Sequence, residues 1–299
     1  MFFSREKASQ TPVRPPEPPS NSYPIKATFL RRTATLCAVW VSRTFARNFG
    51  LVSLLSPWIC VKHYDADWLD VSEAAAIEFI RERTSVPVPK IYCAFTYRNK
   101  TYIAMERIKG TMLADGWLQR SEESRSRILN QLKTMIEEIR SIRSPHGSSV
   151  ASVDGGSLND PRLPGIGTIY PIPTARRFGP FEDINAFHRW LRRPHKGADD
   201  AFPDEVNEMI KAHEETDWGQ TFFTHGDLSS FNIIVKDDKV TGIIDWETAG
   251  WYPHYWEYTR ASRVSPQNAW WVDYLDRFLE PKPNERKFEE TRCEFWGEI

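Results

Sequence analysis

The chain has 299 residues, room for two compact units at the usual domain size of about 100 to 200 residues, and 40% of it is apolar with 13% aromatic. Its 39 basic and 40 acidic side chains nearly cancel, which leaves no cationic surplus to neutralise a nucleic-acid backbone or an anionic membrane surface. Four scattered cysteines, Cys37, Cys60, Cys93 and Cys293, form no C-x-x-C pair. That spacing argues against a zinc or dithiol framework and for a reduced, cytoplasmic protein.

The chain starts MFFSREKASQ, where an apolar pair is followed at once by charges, unlike the long apolar core of a signal peptide. The nearest approach to a membrane span is TLCAVWV at 35–41, flanked by Arg31, Arg32 and Arg43 and far short of the ~20 residues required. TPVRPPEPPSNSYP at 11–24 carries six prolines and few apolar side chains, so residues 1–27 are expected to form a disordered tail. From 28 to 49, apolar and basic residues alternate at spacings that fit a helix only loosely. SPWICVKHYD at 56–65 reads as a strand with both faces covered. DVSEAAAIEFIRERTSVPVP reads as a helix with Asp70 as N-cap, Ala76, Ile77 and Ile80 on one face, and Pro87 as its limit. KIYCAFTY and TYIAMERI form two further strands about a turn at Arg98, Asn99 and Lys100.

After Gly110 the pattern turns helical. Residues 121–143 place Ile128, Leu132, Met135, Ile136, Ile139 and Ile142 at helical spacing behind a capping Ser121. Residues 144–180, rich in Gly, Pro and Ser, are expected to run as a long surface excursion. Helices follow around FEDINAFHRWL and DEVNEMIKAHEE, and the Trp-rich C-terminal third is expected to be helical.

The chemistry concentrates in FTHGDLSSFNIIV at 223–235 and KVTGIID at 239–245. A polar, turn-prone loop lies between apolar strands, carrying His225, Asp227 and Asn232 on rigid neighbours. A hairpin through Asp237 and Asp238 brings Asn232 beside Asp245. The resulting cluster of amide and carboxylate oxygens, with no thiolate, suits Mg²⁺. Asp227 remains free to orient and accept the proton of an attacking hydroxyl, and an Asp, an Asn five later and an Asp after a hairpin is the spacing of kinase catalytic loops.

THGDLSSFNI with IIDWETAGWYPHYWEY resembles the aminoglycoside phosphotransferase and choline kinase group, small-molecule kinases with a protein-kinase-like fold and H-G-D-x-x-x-x-N in place of H-R-D. Upstream, VK at 61–62, EAAAIEFIRERTSVPVPKIY, YIAMERIKG and GPF at 179–181 resemble fungal members, so the likeness spans roughly residues 56 to 260. The resemblance implies an α+β, two-lobed fold with a small β-rich N-lobe at 28–109 and a larger, mainly helical C-lobe at 110–299. It implies that Lys62 contacts the ATP phosphates and pairs with Glu73. The backbone at Glu106 and Ile108, in a hinge from Met105 to Ile108, would hold adenine. Asp227 would be the catalytic base, Asn232 and Asp245 would hold Mg²⁺, His225 would brace the loop, and Glu247 would assist the metal. ATP and Mg²⁺ are the implied cofactors, and the implied partner is a small-molecule acceptor with a hydroxyl group, bound by a monomer.

Each residue also has a plainer reading. Lys62 can be a solvated edge lysine, and Glu73 can complete a capping box with Asp70. Asp227 and Asn232 can be turn formers, and Trp246, Trp251 and Trp256 are expected to be core residues before they are a substrate cage. The pattern departs from protein kinases ahead of Lys62, where Gly50 in FGLVSLLSPW stands in place of G-x-G-x-x-G. That departure keeps a second class open, a pseudokinase-like nucleotide-binding or scaffold protein without turnover. A metal-dependent phosphoesterase using His225, Asp227 and Asp245 is a third, disfavoured because the other six histidines follow no ligand spacing.

Overall fold

The computed structural model describes residues 20–45, 48–49, 51–66, 68–163, 177–192 and 202–297. Gly50 lies outside the described residues, as do residues 1–19 of the Pro-rich segment.

The chain first forms helix α1 (Phe29–Phe45) and then a sheet of β1 (Asn48–Phe49), β2 (Val52–Leu54), β3 (Ile59–Asp65), β4 (Ile91–Tyr97) and β5 (Lys100–Glu106), in the order β1-β2-β3-β5-β4. Helix α2 (Ser72–Arg83) lies between β3 and β4 in sequence. Strand alternation divides the labour of β3. Val61 packs with Val39 of α1, Cys93, Phe95 and Ala104, whereas Cys60 packs with Ala76, Ile77 and Ile80 of α2 on the opposite face. Lys62 has the parity of Cys60 and therefore turns toward α2.

Several sequence expectations are revised here. Within the weak pattern over 28–49, residues Phe29–Phe45 form a continuous helix whose buried stripe, Thr35, Val39 and Ser42, is mostly hydroxylic, while Phe29, Leu30 and Trp40 are exposed. The hydroxyls bond along the helix, Thr35 to the Arg31 carbonyl at 2.8 Å and Ser42 to that of Val39 at 2.9 Å, so burial leaves them satisfied. The tail expectation for residues 1–27 extends too far, because Ile25 exchanges backbone hydrogen bonds with Ala94 and Lys26 pairs with Glu78 at 2.5 Å. Asp70 does not occupy the cap position of α2. It precedes Val71, the cap residue, and accepts the Ser72 amide at 2.8 Å.

The second lobe begins with β6 (Thr111–Met112), which pairs with β10 (Ile233–Lys236), itself paired with β11 (Lys239–Ile243). Helix α3 (Glu122–Arg140) opens on Ser121, whose hydroxyl accepts the Ser124 amide, and buries Ile128, Leu132, Ile136 and Ile139 against this sheet. Next come β7 (Leu158–Asn159), β8 (Arg177–Phe178), α4 (Ile184–Leu191), α5 (Asp204–Glu215) and β9 (Phe222–Thr224), the last paired with β12 (Gly250–Tyr252). Helices α6 (Trp256–Ala261) and α7 (Pro283–Trp296) follow, separated by the 3-10 segment Pro266–Arg277. The described part of 144–180 is no loose excursion. Val150 bridges to Phe181 and Ala151 to Trp251, and residues Val150, Ala151, Ser157 and Leu158 are buried.

Trp246, Trp251 and Trp256 are 1%, 0% and 0% exposed, which makes them core residues and leaves no ring surface for a ligand cage.

Candidate active site

The β10–β11 hairpin turns through Asp237 and Asp238, as its sequence suggested, and its register sets Ile233 opposite Ile243. Just beyond, the Ile244 amide donates to the Asn232 carbonyl at 2.9 Å, so Asn232 lies beside the residue preceding Asp245. Asp245 has φ +66°, a left-handed conformation uncommon for a non-glycine residue, which ends the strand and turns the chain into the Trp246–Thr248 segment.

The loop before the hairpin is held from beneath. The two oxygens of the buried Glu257 carboxylate accept the amides of His225 at 2.7 Å and Gly226 at 3.1 Å. His225 braces the other side, since its Nδ1 accepts the Asp227 amide at 3.1 Å and its Nε2 donates to the Ile244 carbonyl at 3.0 Å. Those partners fix the tautomer with the proton on Nε2. Gly226 has φ +81°, and a Cβ there would lie 2.9 Å from the Thr248 carbonyl oxygen, so only glycine fits. The result is a rigid loop that presents Asp227.

Both oxygens of Asp227 accept hydrogen bonds: Oδ2 from the Asn232 amide at 2.9 Å, Oδ1 from Arg162 at 2.8 Å. Asn232 Nδ2 also donates to the Asp227 carbonyl at 2.8 Å. Two acceptors on that atom identify it as the nitrogen and leave Oδ1 as the atom that can meet a cation. Arg162 grips the buried Asp160 through two nitrogens, each at 2.9 Å, and Arg260 stands 3.6 Å from the same carboxylate. The two guanidinium charges hold the Asp160 carboxyl below its ordinary range against the opposing effect of burial.

Across the cleft, Lys62 is 7% exposed and its three ammonium hydrogens meet Glu73 at 2.9 Å, Asp245 at 2.6 Å and Glu247 at 3.1 Å. Glu73 is thus turned into the cleft, and the capping-box alternative is excluded. Oxygens of Glu73, Asp245 and Glu247 lie within 4.8 Å of one another. One cation among three carboxylates leaves a negative surplus. Burial, reinforced by the neighbouring carboxylates and partly opposed by Lys62, pushes Glu73 up to about 7. Burial alone would lower the Lys62 pKa, but the three carboxylates drive it well above its usual value. An all-oxygen, negatively charged cluster fits a hard divalent cation such as Mg²⁺.

At the junction of the lobes, the Glu106 amide donates to the Lys90 carbonyl at 2.9 Å, and the Arg107 amide to the Trp58 carbonyl at 2.8 Å. The Ile108 amide donates to none of the described residues.

The structure therefore gathers Lys62, Glu73, Asp245 and Glu247 into one cluster and Asp227, Asn232 and His225 into an adjoining one. Sequence reasoning missed Arg162, Asp160 and Glu257. Arg162 lies 65 residues before Asp227, inside a Gly- and Pro-rich stretch, and no local spacing ties the two together.

The sequence profile of the phosphotransferase enzyme family matches residues 62–296 of this chain. No curated protein sequence matches it. Among solved structures, a thermostable mutant of aminoglycoside phosphotransferase APH(4)-Ia superposes with a TM-score of 0.50 at 14% identity, over 78% of this chain and 76% of that one. A putative fructosamine-3-kinase from Haemophilus somnus 129PT does so with a TM-score of 0.50 at 13% identity, over 88% of each chain. At these identities the likeness is one of fold, the α+β, two-lobed, kinase-like architecture described above. The family profile reaches from Lys62 through the loop of Asp227 to α7, and the chain belongs to the phosphotransferase enzyme family.

Proposed function

We propose that the protein is a kinase that transfers phosphate from ATP, with Mg²⁺, to a hydroxyl of a small molecule. The observation that carries this reading is the juxtaposition of Asp227, held on a braced loop, with a buried lysine inside a three-carboxylate cluster. Mg²⁺ and ATP, when bound, supply charge neutralisation and the phosphoryl group. Asn232 and Asp245, with Glu247 assisting, are the residues to hold the metal. Lys62, oriented by Glu73, is the group to contact the donor phosphates. The backbone of Glu106 and Ile108 would receive adenine. Asp227 would align the acceptor hydroxyl and take its proton. We assign residues 28–109 to the nucleotide-binding lobe and 110–299 to the lobe carrying the catalytic loop. The acceptor is a hydroxyl-bearing small molecule, and cytoplasmic location and a monomeric state complete the proposal. No helix among the described residues is long and apolar enough to cross a membrane.

Binding is the first test. A ligand at about 100 times its Kd adds roughly 2.7 kcal/mol to stability, readily seen in a melting curve. MgATP should raise the melting temperature, and the rise should shrink in Asp245→Asn and in Lys62→Met. An unchanged melting curve at millimolar MgATP contradicts the proposal.

One observation favours a second reading, a nucleotide-binding protein without turnover. Asp227 is ion-paired with Arg162, and Lys62 is fully engaged by carboxylates, so both reactive groups have internal partners. A melting shift with MgATP but no phosphorylated product would select that reading. The phosphoesterase alternative is disfavoured: the nitrogens of His225 are engaged by the Asp227 amide and the Ile244 carbonyl, and no histidine joins the carboxylate cluster among the described residues.

A further inference from the structure

Beneath the catalytic loop, α3, α6 and residues 276–281 line a half-open cavity of about 640 Å³, within the range of small-molecule sites. Its apolar wall includes Ile136, Phe222, Phe278 and Leu279. Arg140 lines the same cavity in an unusual state. Its guanidinium lies 4.9 Å from the centre of the Phe222 ring, Nη2 donates to the His254 carbonyl, and Nη1 is buried without a partner. No carboxylate among the described residues forms an ion pair with it.

Four acidic residues line the wall, and none of them ion-pairs with Arg140: Glu137 forms no ion pair among the described residues, and the other three are committed elsewhere. Glu257 accepts the amides of His225 and Gly226, Asp276 accepts the Tyr258 hydroxyl at 2.8 Å, and Glu280 accepts Lys282 at 2.7 Å. Among the basic ones, Arg277 pairs with Glu122 at 2.6 Å. Buried charges are normally paired, because desolvation without a partner is costly. Glu257 and Glu280 act on Arg140 only at a distance, and burial still lowers its pKa. The missing partner is an acceptor of hydrogen bonds that carries negative charge, and the space beside it has the apolar side chains of Ile136, Phe222, Phe278 and Leu279 within an otherwise polar lining.

We propose that this cavity is a second ligand site, separate from the cleft of Asp227, which takes a small amphiphilic anion. Its carboxylate or phosphate pairs with Arg140, and its hydrocarbon part lies against Phe222, Ile136 and Leu279. Glu257 stands between the two sites, lining the cavity while its carboxylate holds the loop amides.

Calorimetric titration of the full chain with octanoate and with hexyl phosphate tests this, with octanol as the uncharged control. Binding of at least one anion is expected, at least tenfold tighter than octanol. Arg140→Met keeps the apolar stem over Phe222 and should weaken the anion at least tenfold without changing octanol. Leu279→Trp, which adds bulk to the cavity wall, should abolish both, and the circular dichroism of each variant reports whether it is folded. The relative strength of the two anions separates a carboxylate from a phosphate ligand. No binding of either anion, or equal binding by folded Arg140→Met, overturns the proposal.

Discussion

Asp227 stands where four segments meet: the β9 loop, the Asn232 side chain, Arg162 from the stretch before β8, and Glu257 from α6. A carboxylate with two donors fixed on it points in one direction, which is what alignment of an acceptor hydroxyl requires. Glu257 controls that direction from below. A glutamine in its place has a single acceptor oxygen for two buried amides, so one amide loses its partner. Glu257→Gln should cost about 2–3 kcal/mol of stability, measured by urea denaturation. Gly226→Ala should destabilise by a further mechanism, since its φ of +81° and the 2.9 Å approach to the Thr248 carbonyl oxygen leave no room for Cβ. A stability equal to the parent in both variants would mean that the loop is not held as described. At this scale the sequence was informative where function fixes short spacing. Asp227, Asn232 and Asp245 lie in one loop and hairpin, and Lys62 and Glu73 in consecutive elements. Arg162 and Glu257 reach the same point from distant segments, and their side chains are unremarkable in their own neighbourhoods.

The elements differ in how openly the sequence declares them. The β4–β5 hairpin was legible because strand alternation brackets a polar turn, and its loop residues Arg98 and Asn99 both have positive φ, 48° and 57°. Arginine bears that conformation at a cost of about 1 kcal/mol. Replacing Arg98-Asn99 with Asn-Gly, the favoured pair for such a turn, should raise stability by up to about 1 kcal/mol in the same denaturation assay. Helix α1 was hard to read for the opposite reason. Its buried stripe uses Thr35 and Ser42, while Phe29, Leu30 and Trp40 face outward, so the apolar periodicity that marks an amphipathic helix is inverted. The packed part of 144–163 was equally hidden. Bridges to Phe181 and Trp251 order a stretch whose composition suggests a loop.

For the whole molecule, the two-lobed arrangement was implied by the family resemblance of the catalytic motif and its upstream segments, while the packing within the C-lobe was not. There the rings of His188 and His213 stack at 4.0 Å, and His188 Nε2 meets the Tyr255 hydroxyl at 2.7 Å. Burial pushes the His188 imidazole down to about 3 and that of His213 well below its ordinary 6.5. In the unfolded chain both take up protons as pH falls below about 6.5, whereas the folded chain resists until about 3. Their contribution to stability is therefore complete above 6.5 and is lost progressively as pH falls toward 3. Urea midpoints should decline between pH 6.5 and 5, before most carboxylates titrate, and the decline should be flatter in the double variant His188→Phe, His213→Phe. An unaltered pH dependence in that variant would place the acid sensitivity elsewhere.

The central claim is that Asp227 and the Lys62 cluster together transfer phosphate to a small-molecule hydroxyl. Mass spectrometry of a pooled library of hydroxyl-bearing metabolites, incubated with the protein, ATP and Mg²⁺, tests it most directly, with Asp227→Asn as the control. The account predicts a product 80 Da heavier than one library member (on the order of one phosphoryl group replacing a proton), formed by the parent protein and not by Asp227→Asn, which still shows the MgATP melting shift. The same product made by both proteins would contradict the role given to Asp227, and no product from a broad library would contradict the kinase itself.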